Sequence, residues 1–182
     1  AVDSTTSTTA ADQGHTETQR PPTFTEEEFE KMLADTVAFG ESHERLWPYS
    51  TELLKQGYIG YVVYIGLDTA LYDHAGREVT ILDPRVTGQD VRTGLQLIRI
   101  GDTITTGDHR CAVDLFTRWD SERNLLEIGP NSEVVFTRFG TIDQQVSQTT
   151  IGMLKGMVRF IGSVLWGEKR PSIFSVNAGT TL

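Results

Sequence analysis

A chain of 182 residues is long enough to bury a core of its own, so it needs neither disulfides nor a structural metal to hold it together. Its formal net charge of −9, with no Lys/Arg-rich stripe, argues against nucleic-acid binding and against docking on anionic lipid. The single cysteine, Cys111, excludes an intrachain disulfide, and without a run of about 18 uncharged apolar residues no membrane insertion by this segment is expected.

The first 24 residues are predicted to form a flexible, disordered leader. They are rich in Thr, Ser, Ala and Gln, so they cannot bury enough apolar surface to offset the entropy lost on ordering. Much of the acidity lies here and just beyond, because residues 1–50 carry ten acids and three bases, a net of −7. We expect residues 1–22 to be dispensable for folding.

A short helical segment is predicted over residues 25–56. Thr25 and Glu28 have the spacing of a capping box at the start of a first helix, and Gly40 is predicted to end that helix. A second short helix is expected from about Ser50 to Gln56. The apolar stripe of the first helix consists of Phe29, Met32, Leu33, Val37 and Phe39.

From residue 57 to residue 182 the pattern is typical of β structure. Short runs rich in β-branched and aromatic residues alternate with turn signals such as Phe139-Gly140. Without long helices between the runs, the pattern predicts an all-β domain of stacked short antiparallel strands, arranged as a sandwich or in a solenoid-like way. The predicted strands are Gly57–Gly66, Ala70–Asp73, Glu78–Leu82, Leu95–Ile100, Cys111–Phe116, Leu125–Ile128, Val134–Arg138, Met153–Phe160 and Ile173–Val176.

Two groups of residues have the composition of chemical sites. Cys111 lies near His109 and Asp108, but no nucleophile elbow surrounds it, and a buried, inert cysteine is the favoured interpretation. The turn histidines and aspartates lack the tight spacing of metal ligands and are interpreted as surface residues. That second group is His43, His74, His109, Asp73 and Asp108. The sequence therefore predicts no catalytic residue, no metal site and no cofactor, and we expect a protein that is not an enzyme.

Aromatic residues around the first predicted strand could form a glycan platform. By strict alternation Tyr58 and Tyr64 share one face and Tyr61 lies on the other, with Trp47 upstream. Half-buried strands use aromatic residues in this way, so core packing is the favoured interpretation.

The segment Ile151–Trp166 could be a helix lying on a membrane or a strand. Three glycines within twelve residues would each cost a helix about 1 kcal/mol, so a strand is favoured. On that strand Leu154 and Val158 would lie on one face, and Lys155 and Arg159 on the other.

Four motifs follow one another over residues 78–182. They are Ile100–Asp108 with its GD and TGD turns, Gly129–Ser132 (GPNS), Met153–Arg159 (MLKGMVR) and Phe174–Thr180 (FSVNAGT). In this order and spacing they resemble the FecR domain of bacterial envelope proteins.

The resemblance implies structural turns rather than a site of chemistry. The residues matching the family's turns are Gly101, Asp102, Thr106, Gly107, Asp108, Gly129, Pro130, Asn131, Ser132 and Gly156. Two features depart from the family: the charged turn Asp120–Asn124 is longer, and the chain reaches Leu182 before the terminal Gly-Val-Arg-Gly-Thr signature, so the FecR-like region (57–182) is expected to be cut short.

The resemblance implies a non-enzymatic binding or scaffolding module in the periplasm or at the bacterial cell surface, with a protein or glycan as its partner. One alternative is the periplasmic part of a FecR-type transmembrane signalling regulator. Another is a structural subunit that self-associates along a sheet edge. A third is an enzyme whose catalytic residues the sequence does not bring together.

Overall fold

The computed structural model describes residues 20–42, 48–79, 96–116, 124–142, 146–162 and 172–178. Strands predominate and two helices precede them, which confirms the all-β class with a short N-terminal helical segment. The elements are α1 (Glu26–Ser42), α2 (Pro48–Lys55), β1 (Tyr58–Tyr64), β2 (Ala70–Tyr72), β3 (Glu78–Val79), β4 (Leu97–Arg99), β5 (Thr103–Thr105), β6 (Cys111–Leu115), β7 (Asn124–Ile128), β8 (Glu133–Ile142), β9 (Val146–Lys155), β10 (Val158–Gly162) and β11 (Ser172–Ala178).

The strands form two sheets. Sheet A has the order β10-β7-β6-β1-β4, and sheet B has the order β11-β9-β8-β5-β2-β3. Described neighbours pair antiparallel, as predicted, except at the end of sheet B, where β11 runs parallel to β9 with Ser172 beside Ser147. A parallel partner needs a long connection, and the chain reaches β11 only after passing through β10 in the other sheet.

Consecutive strands cross repeatedly from one sheet to the other. β1 leads into β2, β5 into β6, β7 into β8 and β9 into β10. These pairs follow one another in the same order in both sheets, as β10-β7-β6-β1 in sheet A and β9-β8-β5-β2 in sheet B. The four pairs are therefore four long strands, each bent at the crossing, and they stack side by side as a folded antiparallel meander. We call each bent pair a layer.

One hydrophobic core draws side chains from both sheets and from α1. In sheet A, Val62, Val113 and Leu126 are cross-strand neighbours and are at most 2% exposed. Leu71, Ile104 and Val134 form the corresponding buried row in sheet B. Because side chains alternate along a strand, each layer contributes one apolar face to the core and turns its other face outward.

Helix α1 packs against β8. The Thr25 N–H donates to the Glu28 carboxylate at 2.9 Å, and the Glu28 N–H donates to Thr25 Oγ1 at 3.3 Å, which confirms the capping box. The buried Thr36 hydroxyl donates to the Phe139 carbonyl, and the rings of Phe39 and Phe139 meet edge to face at 5.2 Å. The predicted stop at Gly40 is wrong: the helix runs on to Ser42.

Three strand predictions are also corrected. Met153–Phe160 is not one strand, because Gly156 adopts a φ of +94° and breaks it into β9 and β10, so Leu154 and Val158 do not share one continuous strand. Phe139-Gly140 is not a turn but lies inside β8, which pairs with β9 over its whole length. The TIT stretch between the GD and TGD turns forms the short strand β5.

Residues 20–24, at the end of the predicted leader, lie against sheet B. The Arg20 N–H donates to the Gly76 carbonyl at 3.0 Å, and the Thr23 N–H donates to the His74 carbonyl at 3.1 Å. The Arg20 guanidinium pairs with Glu133 at 2.5 Å and lies 4.8 Å from the centre of the Tyr72 ring. We therefore restrict the expectation of a dispensable segment to residues 1–19, which lie outside the described residues.

We expect Arg20→Ala to lower the free energy of unfolding by about 1 kcal/mol, because it removes a partly buried ion pair and a contact with an aromatic ring. Arg138→Ala, at an exposed position on β8, is the matched control and should change stability by no more than a few tenths of a kcal/mol. Urea unfolding of both variants and of a chain that begins at Arg20 measures this. Equal stability of the two variants would show that the Arg20 contacts contribute nothing.

Candidate functional site

The crossings inside the four bent pairs lie side by side. In chain order they are residues 65–69, 106–110, 129–132 and 156–157, and we call them together the corner ladder. Neighbouring crossings are joined by hydrogen bonds. The ladder contains eight of the motif residues: Thr106, Gly107, Asp108, Gly129, Pro130, Asn131, Ser132 and Gly156.

The second and third crossings are joined through Thr106. Its hydroxyl donates to the Gly129 carbonyl at 2.7 Å and accepts from the Ser132 N–H at 2.9 Å. The Thr106 N–H donates to the Ser132 carbonyl at 2.9 Å, and the Asn131 N–H donates to the Gly107 carbonyl at 2.6 Å. Thr106 is buried, so its hydroxyl provides hydrogen bonds that water would otherwise supply.

The third and fourth crossings are joined through Ser132. The Met157 N–H donates to Ser132 Oγ at 3.0 Å, and the Gly129 N–H donates to the Met157 carbonyl at 2.8 Å. Gly156 adopts a positive φ, and a Cβ there would overlap Ser132 Oγ and Cα. Only glycine allows both this conformation and this close approach.

The first and second crossings are joined through Asp68. The Gly107 N–H donates to the Asp68 carbonyl at 3.1 Å, while the carboxylate accepts from the Asp108 N–H at 2.5 Å and lies 3.2 Å from His109 Nδ1. Desolvation acts to raise the pKa of Asp68, but the hydrogen bonds from His109 and Asp108 outweigh it and hold that pKa below its ordinary value.

The motif turns therefore bond to one another. The hydroxyls of Thr106 and Ser132 and the backbone groups around them are used within the ladder, where they join one layer to the next. This arrangement can fix the bend of each strand. The role of these residues in the structure is therefore to join neighbouring layers.

Gly101 and Asp102, from the first motif, lie at the opposite end of β5 from the corner ladder. Gly101 has a φ of +86°. Its N–H donates to the Phe136 carbonyl, and the Phe136 N–H donates to the Asp102 carbonyl. The Asp102 side chain is buried and accepts the Arg99 N–H at 2.8 Å. Burial raises the pKa of Asp102 to about 7; the charge of Asp73 adds to the shift, and the hydrogen bond from Arg99 opposes it.

The structure does not pair Cys111 with His109. The thiol is fully buried, and burial raises its pKa to about 12, so it stays protonated at neutral pH. His109 lies in an exposed turn against Asp68 instead. His74 is more buried than expected for a surface residue, because its ring stacks on Phe29.

Among the described residues, no group of three or more His, Cys, Asp or Glu side chains could hold a metal ion. His43 and Trp47 lie outside the described residues.

The β1 tyrosines lie differently from the sequence-based expectation. Val62 pairs with Val113 but Tyr64 pairs with Ala112, so Val63 is an extra residue in β1. Because such a bulge reverses the alternation, Tyr61 and Tyr64 both lie on the outer face of sheet A. The run Tyr-Val-Val-Tyr carries no marker of a bulge, and strict alternation could not find this pairing of tyrosines.

These tyrosines belong to a mixed aromatic and charged surface, which we call the tyrosine face. Two rows of cross-strand neighbours form it, one ending at Tyr64 and the other at Tyr61. Tyr64 and Ile161 are 38% and 39% exposed. The members of the face are Tyr61, Tyr64, Arg110, Ala112, Asp114, Leu125, Glu127, Arg159 and Ile161.

Three charged side chains of the tyrosine face form only long ion pairs. Glu127 lies 3.8 Å from both Arg110 and Arg159, whose side chains are 64% and 74% exposed. The Arg110 guanidinium also lies 5.6 Å from the centre of the Tyr64 ring, and the Tyr61 hydroxyl donates to Asp114 at 3.1 Å. Tyr58 is not part of this face, because it packs beside Arg99.

No known protein family, curated protein or solved structure matches the chain. Neither helix of the described part of the chain combines the length and apolar character that crossing a membrane requires. The resemblance to the FecR domain therefore depends on the sequence motifs alone.

We expect Gly156→Ala to lower the free energy of unfolding by about 3 kcal/mol, because alanine is strained at this φ and its Cβ would displace Ser132. Gly129→Ala is the matched control in the neighbouring crossing, where φ is not positive and the nearest atom to the added Cβ would be 3.2 Å away. Chemical denaturation compares the two. A loss at Gly156 no larger than that at Gly129 would contradict the importance of the corner ladder.

We also expect Cys111 to resist thiol reagents while the protein is folded. Its thiol becomes available only on opening of the core, so labelling should be about 1,000-fold slower than in denaturant. Reaction with a coloured disulfide reagent measures both rates. Fast labelling of the folded protein would show that the thiol is not inert. Loss of binding to a partner in a Cys111→Ala variant that still folds would show the same.

Proposed function

We propose that the chain is a non-enzymatic binding or scaffolding module of the bacterial envelope or cell surface, with a FecR-like domain, and that it engages a protein or glycan partner through the tyrosine face. The observation that carries the proposal is the bulge at Val63, which places two tyrosines on the outer face of the sheet beside two exposed arginines. The envelope location is supported by the family resemblance.

The composition of the face supports binding. Tyrosine and arginine are the residue types that most often dominate binding energy, since each offers a broad apolar surface together with a polar group. Buried Ala112 between Glu127 and Tyr64 keeps the centre of the row low, which leaves a shallow surface flanked by longer side chains. Such a surface fits an extended glycan or a protein segment.

A non-catalytic role is supported by how the motif residues are used. The hydroxyls of Thr106 and Ser132 bond to backbone groups of neighbouring crossings, and Cys111 is a buried, protonated thiol. The geometry uses these three groups for hydrogen bonds between crossings or for core packing.

Self-association is a second candidate, favoured by the surface at the β9–β10 end of the stack. Leu154 is 52% exposed and Met157 is 65% exposed, on either side of the turn at Gly156. Large apolar side chains exposed together often mark contacts with another protein, and a second copy of this chain is one such partner.

The test of the main proposal is photo-crosslinking of the full chain to an envelope extract, with mass spectrometry for proteins and a glycan array for sugars. We expect Tyr64→Ala and Arg110→Glu each to weaken capture about tenfold or more, as at the centre of other interfaces. Lys31→Glu, an exposed charge reversal on α1, is the control and should leave capture unchanged.

Capture that survives in both face variants would overturn the tyrosine face as the binding surface. Capture of an outer-membrane transporter or receptor would instead identify the periplasmic part of a signalling regulator. Concentration-dependent assembly in sedimentation that is lost in Met157→Lys would favour the self-assembling subunit.

A further inference from the structure

The N-terminal half of α1 is docked on the Gly101–Asp102 corner by an aromatic residue. Phe29 is 5% exposed, and its ring stacks on His74 with the centroids 3.5 Å apart and the planes 2° from parallel. A Cβ on Gly101 would lie 3.1 Å from a Phe29 ring carbon, so the helix rests directly on the corner. The Arg99 guanidinium lies 5.3 Å from the same ring.

Charged groups lie near this contact. Asp102 follows Gly101 in the chain and is buried, and the one hydrogen bond that the described residues show for its carboxylate comes from the Arg99 N–H. The Arg99 Nε is buried too, without a hydrogen-bond partner in the described part of the chain. The charged and titratable groups around the corner are Glu26 on α1, Asp73, His74 and Arg77 on the β2–β3 turn, and Arg99 on β4.

We propose that this corner is a proton-sensitive latch for α1: the helix stays docked while Asp102 is uncharged and loosens when Asp102 ionises. An uncharged carboxyl needs little solvation and fits the buried position next to Gly101, on which Phe29 packs. A carboxylate there lacks water, and Asp73, held by Arg77 at 2.8 Å, adds a like charge. Opening of α1 admits water to the corner and so stabilises the carboxylate.

The sign of the effect follows from the burial of Asp102. Its pKa is raised from 3.8 to about 7 in the folded corner, so the docked state holds a proton that the open state has lost. The latch is therefore fully closed only below about pH 3.8, weakens as the pH rises from about 3.8 to about 7, and does not change further above that.

The experiment is hydrogen exchange of the full chain at about pH 5 and about pH 8, expressed as protection factors so that the intrinsic pH dependence of exchange cancels. From the two pKa values, opening at α1 should become about a hundredfold easier between these pH values. Amides of residues 29–36 report the latch, and those of residues 134–136 in β8 report the core. We expect α1 to be less protected than β8 and to lose protection with rising pH.

Asp102→Asn is the matched variant, because its amide oxygen still accepts the Arg99 N–H but cannot ionise. We expect it to hold α1 protection nearly constant from about pH 5 to about pH 8, while Asp68→Asn, an exposed carboxyl at the corner ladder, retains the wild-type fall. A fall that persists in Asp102→Asn but disappears in His74→Gln would overturn the proposal. So would equal protection of α1 and β8 at both pH values, because the helix would then open only with the whole fold.

Discussion

The structure depends on giving the backbone N–H and C=O groups hydrogen-bond partners where each strand bends from one sheet into the other. At a bend the N–H and C=O groups leave their strand partners, and a buried group without a partner costs about 1–3 kcal/mol. The corner ladder meets this need with two side-chain hydroxyls, from Thr106 and Ser132, and with backbone bonds between adjacent crossings. With the bends fixed, two faces of one meander can enclose a single core.

The other end of the strands is closed differently. There the helix α1 covers the corner, and the contacts are aromatic and ionic rather than a repeated hydrogen-bond pattern. A burial that suits Phe29 does not suit the carboxylate of Asp102. One end of the domain is thus held by hydrogen bonds between neighbouring crossings, and the other by a packing arrangement that includes a titratable group.

Local sequence signals predicted much of this fold. The capping box at Thr25, the β-rich composition after residue 57 and the turn residues at Gly101 and Gly129 each depend on neighbours in the chain. Features set by distant partners could not be predicted. The continuation of helix α1 past Gly40 depends on packing against β8, and the break between β9 and β10 at Gly156 depends on Ser132. The candidate surface was missed for the same reason, since the bulge in β1 is defined by its pairing with β6.

Each layer of the meander contacts mainly the layers on either side of it, so the domain is close to a one-dimensional array. In such arrays stability grows by one unit and one junction at a time, and related chains can differ in the number of units they contain. A bent strand inserted between two layers would need an apolar inner face and a crossing that bonds to its neighbours. The architecture is therefore suited to evolutionary lengthening and shortening by whole layers.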